Sequence, residues 1–95
     1  MNNAQLFAAH QAQVAKVAAR VAGDEGHPAI AAAAQQVLAA LEAGIDPCNP
    51  VIRSAQPDES DAARLERQTE NARLIAIRDA YASCLRVYLD GTTAP

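Results

Sequence analysis

The chain has no tryptophan, one phenylalanine and two tyrosines, so the large rings that usually anchor a small core are nearly missing. Only two cysteines occur, Cys48 and Cys84, too few for a disulfide framework and not spaced as a CxxC pair. Lysine is reduced to Lys16, the other seven basic residues being arginine. The net charge of −3 excludes a broad electrostatic attraction to nucleic acid or an anionic membrane. No apolar run approaches a membrane span, and the opening Met-Asn-Asn-Ala-Gln has neither the basic nor the apolar segment of a secretory signal. These absences predict a soluble, cytoplasmic protein with reduced thiols.

What is present is alanine. Apolar residues make up 51% of the 95 positions, and 24 of them are alanine, against 19 for valine, isoleucine, leucine and phenylalanine together. Alanine is the best helix former but buries little area. Such a chain forms helices readily and has little with which to hold them as a monomer. Close packing through small side chains and burial against a second subunit are the two remedies. The expectation is one all-α domain over 1–95, a helical bundle completed by oligomerisation.

The spacing of Phe7, His10, Val14, Val17 and Val21, widened by Leu6, predicts a helix over about 3–22, ended by a left-handed glycine in Gly23-Asp24-Glu25-Gly26. Pro28 opens a second helix over about 28–43, with Ile30, Ala34, Val37, Leu38 and Leu41 inward. Gly44 is its expected cap, and Ile45 is placed to fold back onto the last turn. The short link makes these two an antiparallel hairpin. A proline-rich connector follows at 46–57, expected to be ordered by Val51 and Ile52, with a short helical turn from Pro50.

A long helix over about 57–90 closes the chain, opening on Pro57 with Asp58, Glu59 and Asp61 near its positive end and stopping at Asp90-Gly91. Leu74, Ile77, Tyr81, Cys84, Leu85 and Tyr88 form a bulky stripe, expected to meet the hairpin. Leu65, Thr69, Ala72, Ala76, Ala80, Ser83 and Val87 form a stripe of mostly small residues, the expected oligomer interface. Arg64, Arg67, Arg78 and Arg86 lie along a further side, bordered by Tyr81 and Tyr88. Arginine suits bidentate recognition of phosphate or carboxylate, so this side is a candidate anion or nucleotide site. Partnering by Glu70 and Asp79 would make it an ordinary solvated face.

No catalytic constellation, phosphate loop or dinucleotide fingerprint occurs. The acids cluster at Asp58, Glu59 and Asp61 or pair with arginines, as on a solvated helix. The candidate metal ligands His10, His27, Cys48 and Cys84 share no local ligand spacing, so neither metal nor cofactor is expected. His10 reads as an edge-of-core residue near Phe7 and Val14. Cys48 reads as exposed and Cys84 as a small core hydrophobe. The second helix has no lysine or arginine, which argues against a DNA-reading helix-turn-helix. The function expected is non-enzymatic: an oligomeric helical adaptor or inhibitor binding another protein, in the style of an accessory protein of a phage or mobile element. The alternatives are a binder of small anions through the arginine side, or a structural subunit of a larger helical assembly.

Overall fold

A computed structural model describes residues 2–93, with side chains through Gly91; residues 1, 94 and 95 of the expected domain lie outside it. Three helices and no strands are present among the described residues: α1 (Asn3–Ala22), α2 (Pro28–Glu42) and α3 (Asp61–Thr93). Each pair of helices is in contact, so the packing is that of a small bundle.

The helix ends follow from local chemistry. Asn2 caps α1, its Oδ1 accepting from the Gln5 backbone at 2.8 Å while Gln5 Oε1 accepts from the Asn2 backbone at 3.0 Å. Gly23 ends α1 with φ −89°, and not in the left-handed conformation expected of it. Asp24 shapes the turn instead, accepting from the Gly26 backbone at 2.9 Å and meeting His27 Nδ1 at 2.9 Å. Gly44 does take the left-handed form, at φ +78°. Its N–H reaches the Leu41 carbonyl at 3.1 Å, and the Ile45 N–H reaches the Ala40 carbonyl at 2.9 Å. This is a Schellman ending, with Ile45 packed against Ala40, Leu74 and Ile77 as the motif favours.

The ends of α3 correct the expectation twice. Its first turn is held by Ser60, whose Oγ accepts from the Ala63 backbone at 3.1 Å, so the helix begins at Asp61 and leaves Pro57 and Asp58 in a preceding turn. It also runs through Gly91, which no neighbouring atom constrains and which has a negative φ like the other helical residues. Glycine inside a helix costs only about 1 kcal/mol, too little to stop one already formed.

The main core joins all three helices: Val14, Val17, Ala18 and Val21 from α1, Ala34 and Val37 from α2, and Ala80, Tyr81 and Cys84 from α3. Ile30, Leu38, Leu41, Leu85 and Tyr88 pack around it, so the bulky stripe of α3 faces the first two helices as expected. Leu6 and Phe7 depart from that pattern, at 51% and 50% exposure. They precede the part of α1 that the other helices cover.

The connector departs further. It contains no helical turn, and Val51 and Ile52 are exposed, Val51 at 81%. Pro47 and Pro50 are the buried residues instead. Polar bonds to α3 do the fastening. The Arg53 N–H donates to Asn71 Oδ1 at 3.0 Å, and Asn71 Nδ2 donates to the Arg53 carbonyl at 2.9 Å. Farther along, Arg67 grips Glu59 through two hydrogen bonds of 2.8 and 3.1 Å.

Two glycines provide a matched test. Gly44→Ala forces an L residue into the left-handed region and should destabilise the fold by roughly 1–2 kcal/mol. Gly91→Ala, in open space on a helix, should be neutral or stabilise by up to about 1 kcal/mol. Thermal denaturation of the two variants checks the ordering.

Candidate functional site

The N-terminal half of α3 has little beside it. At 33 residues α3 is about 50 Å long, whereas α1 and α2 have 20 and 15 residues. Its buried residues start at Leu74. Before that, the extended connector is what lies alongside. The chain is elongated in consequence, with a radius of gyration of 15.7 Å and extents of 56 × 36 × 20 Å. A compact chain of this length would have a radius near 12 Å.

Between connector and helix lies an open groove lined by Val51, Ala62, Leu65, Thr69 and Leu74, with Arg53, Glu66 and Glu70 at its edges. A second concavity, lined by Phe7, Ile45, Asp46 and Asn49, shares Val51, Glu70 and Leu74 with the first. The two make one continuous apolar trough from α1 to the start of α3. Leu65, at 65% exposure, and Val51 stand out of it. Isolated exposed apolar residues are ordinary, but a contiguous set with charged edges marks a contact surface.

The stripe expected to form the oligomer interface is divided by the fold. Ala80 is buried and Val87 is half-buried against the chain's own core. Leu65, Thr69, Ala72 and Ala76 are exposed, and Ser83 is half-buried. Ala76 lines a shallow concavity with Gln36, Ala39, Ala40, Ala43, Arg73 and Ile77, an alanine-walled seat between α2 and α3.

The arginine side is largely neutralised from within. Arg64 pairs with Asp61 one turn away, and Arg78 lies 3.8 Å from Asp79. Arg67 is committed to Glu59, both side chains being nearly covered at 14% and 11% exposure. Arg86 is exposed, Tyr81 is buried in the core and Tyr88 is half-buried. Glu70 takes Arg73 as its partner, at 2.7 and 3.1 Å.

The hydrogen bond from Arg67 holds the Glu59 carboxyl below its usual range, as Arg73 does for Glu70 and His27 for Asp24. A lowered folded-state pKa gives stability that is present above the ordinary glutamate range and is lost as pH falls through the folded pKa. Glu59→Gln should therefore lower the melting temperature most at neutral pH and flatten its fall on acidification below the glutamate range, the two proteins converging in acid. Melting curves across that window check it.

One grouping crosses the sequence and was not visible in local spacing. His10 of α1 places Nε2 3.3 Å from Asp46 Oδ1. The same oxygen accepts from the Cys48 backbone at 3.0 Å. The His10, Asp46 and Cys48 ligand atoms all lie within 4.8 Å of one another. The Tyr81 hydroxyl adjoins the Cys48 thiol, whose pKa is raised by burial and by the Asp46 charge. His10 is thus an exposed, hydrogen-bonded residue and not an edge-of-core one. The available signal was the proline-bracketed Asp-Pro-Cys-Asn-Pro run, whose rigidity sets Asp46 and Cys48 together.

The cysteines differ as their settings suggested: Cys48 is exposed, and Cys84 is fully buried with Sγ 3.9 Å from the Ile30 carbonyl. An alkylating reagent should modify Cys48 in the native protein and Cys84 only on unfolding. Peptide mass mapping with and without denaturant reads this out; equal native labelling of both would contradict the packing of α3.

No helix among the described residues is long and apolar enough to cross a membrane. No known protein family, curated relative or solved structure matches this chain.

Proposed function

We propose that this chain is a non-catalytic interaction module, a helical bundle completed by a second copy of itself through the N-terminal half of α3. The observation that carries it is the uncovered trough of Val51, Leu65, Thr69 and Leu74 beside a helix longer than its companions can cover. The exposed small residues Ala72 and Ala76 continue from it, and Ala76 meets the alanine-lined seat on α2, where another helix backbone can approach closely. Self-association buries this surface without the large side chains the composition lacks. The expected heterologous partner, as for an adaptor or inhibitor, would then be met by the assembled bundle.

Two features favour this over chemistry or small-anion binding. The carboxylates with displaced titration, Asp24, Glu59 and Glu70, are all pushed down by cationic or donor neighbours, the opposite of a poised general acid. Arg64 and Arg67 already hold carboxylates of this chain, and an added phosphate would have to displace them.

Light scattering during size exclusion tests the assembly. The wild type should elute with the mass of a dimer or higher oligomer. Leu65→Asp alters an exposed side chain and should leave helicity unchanged while giving a monomer. Ala76→Glu should weaken association by about 3–5 kcal/mol if its charge is buried unpaired. A monomeric wild type at tens of micromolar, roughly where a contact worth about 6–7 kcal/mol would already populate dimers, defeats the proposal. So does an unchanged oligomeric mass in both variants.

A further inference from the structure

We infer that His10, Asp46 and Cys48 form a binding site for a borderline divalent transition metal of the zinc class, at the α1 end of the trough and apart from the Leu65 and Ala76 positions argued to carry self-association. The three ligand atoms come from two separate elements, α1 and the connector, and lie within 4.8 Å of one another. In tetrahedral zinc sites with bonds of about 2.0–2.3 Å, donor atoms sit roughly 3.3–3.8 Å apart. The His10 Nε2 to Asp46 Oδ1 separation is already 3.3 Å. The Cys48 sulfur lies no more than 4.8 Å from the other two donors, so bringing it in needs a movement of at most about 1.5 Å to reach those tetrahedral spacings, within the compass of side-chain rotation on an exposed residue.

The loop that carries two of the ligands is prepared for the task. Pro47 lies between them and is fully buried, and Pro50 is buried after them. The Cys48 N–H holds the Asp46 carboxylate at 3.0 Å, fixing its direction. Little conformational entropy is then lost when an ion binds. The Tyr81 hydroxyl, beside the thiol, is placed to offer the outer-shell hydrogen bond that such ligands commonly have.

The donor set selects the ion. A thiolate and an imidazole with one carboxylate suit zinc or cobalt, whereas magnesium and calcium require shells of oxygen. Three protein ligands leave a fourth position to water. On binding, the Cys48 thiol gives its proton to solvent and the sulfur bonds to the ion, with no change in oxidation state. Asp46 also lines the Phe7 end of the trough, so an ion here would tie α1 to the connector and stiffen that wall.

Cobalt(II) is the probe, added to the metal-free protein at one equivalent. The expected result is a near-ultraviolet thiolate-to-cobalt charge-transfer band with visible bands of a four-coordinate ion. Zinc should displace it, and zinc should raise the melting temperature with the logarithm of its free concentration once the site is saturated. Cys48→Ser should abolish the charge-transfer band, and His10→Ala or Asp46→Asn should weaken binding at least about tenfold. Cys84→Ser should keep the band. Circular dichroism of each variant establishes that it is folded, and Leu65→Asp separates the site from assembly because it should bind cobalt like the wild type. Absence of a charge-transfer band in the wild type, or its persistence in Cys48→Ser, would overturn the inference.

Discussion

The architecture depends on a mismatch of lengths. Two helices of 20 and 15 residues cannot cover one of 33, and the chain has too few large side chains to fold a loop into the gap. The residues fully withdrawn from water are mainly valine, alanine and cysteine, each offering a modest area. That core is concentrated where α1 and α2 meet the C-terminal half of α3. The remaining half of α3 is helical because its local interactions favour helix: a serine cap, alanine, and arginine–carboxylate pairs one turn apart. Such terms are individually small, so this half is the natural place for a partner.

The connector resolves part of the mismatch by polar means. Asn71 treats the Arg53 peptide as a strand would, giving and receiving one hydrogen bond. Glu59 and Arg67 close the far end. Between the buried Pro50 and the Arg53 fastening, Val51 is left exposed in the trough without a partner in the same chain. At the near end, the buried prolines set Asp46 and Cys48 against His10.

Signals confined to one helix were readable from residues alone. The limits of α1, the Gly44–Ile45 ending of α2 and the core stripe of α3 all follow from spacing and cap chemistry. The start of α3 was misplaced at Pro57, because a proline followed by acids suits a first turn, whereas the Ser60 hydroxyl supplies the cap. Val51 and Ile52 misled because hydrophobicity says what a residue prefers and not what lies within reach. The division of the small stripe was hidden for the same reason, since whether Ala80 or Ala76 meets the chain's own core depends on where α2 ends. His10 and Asp46 stand 36 positions apart, and only the folded chain makes them neighbours.

Amide hydrogen exchange along α3 at several protein concentrations tests the central claim most directly. In dilute solution the amides of Asp61–Asn71 should exchange much faster than those of Leu74–Tyr88, which the core protects. Raising the concentration should slow the first group and leave the second unchanged, as a second copy covers the trough. Uniform protection along α3 that does not depend on concentration would contradict the account.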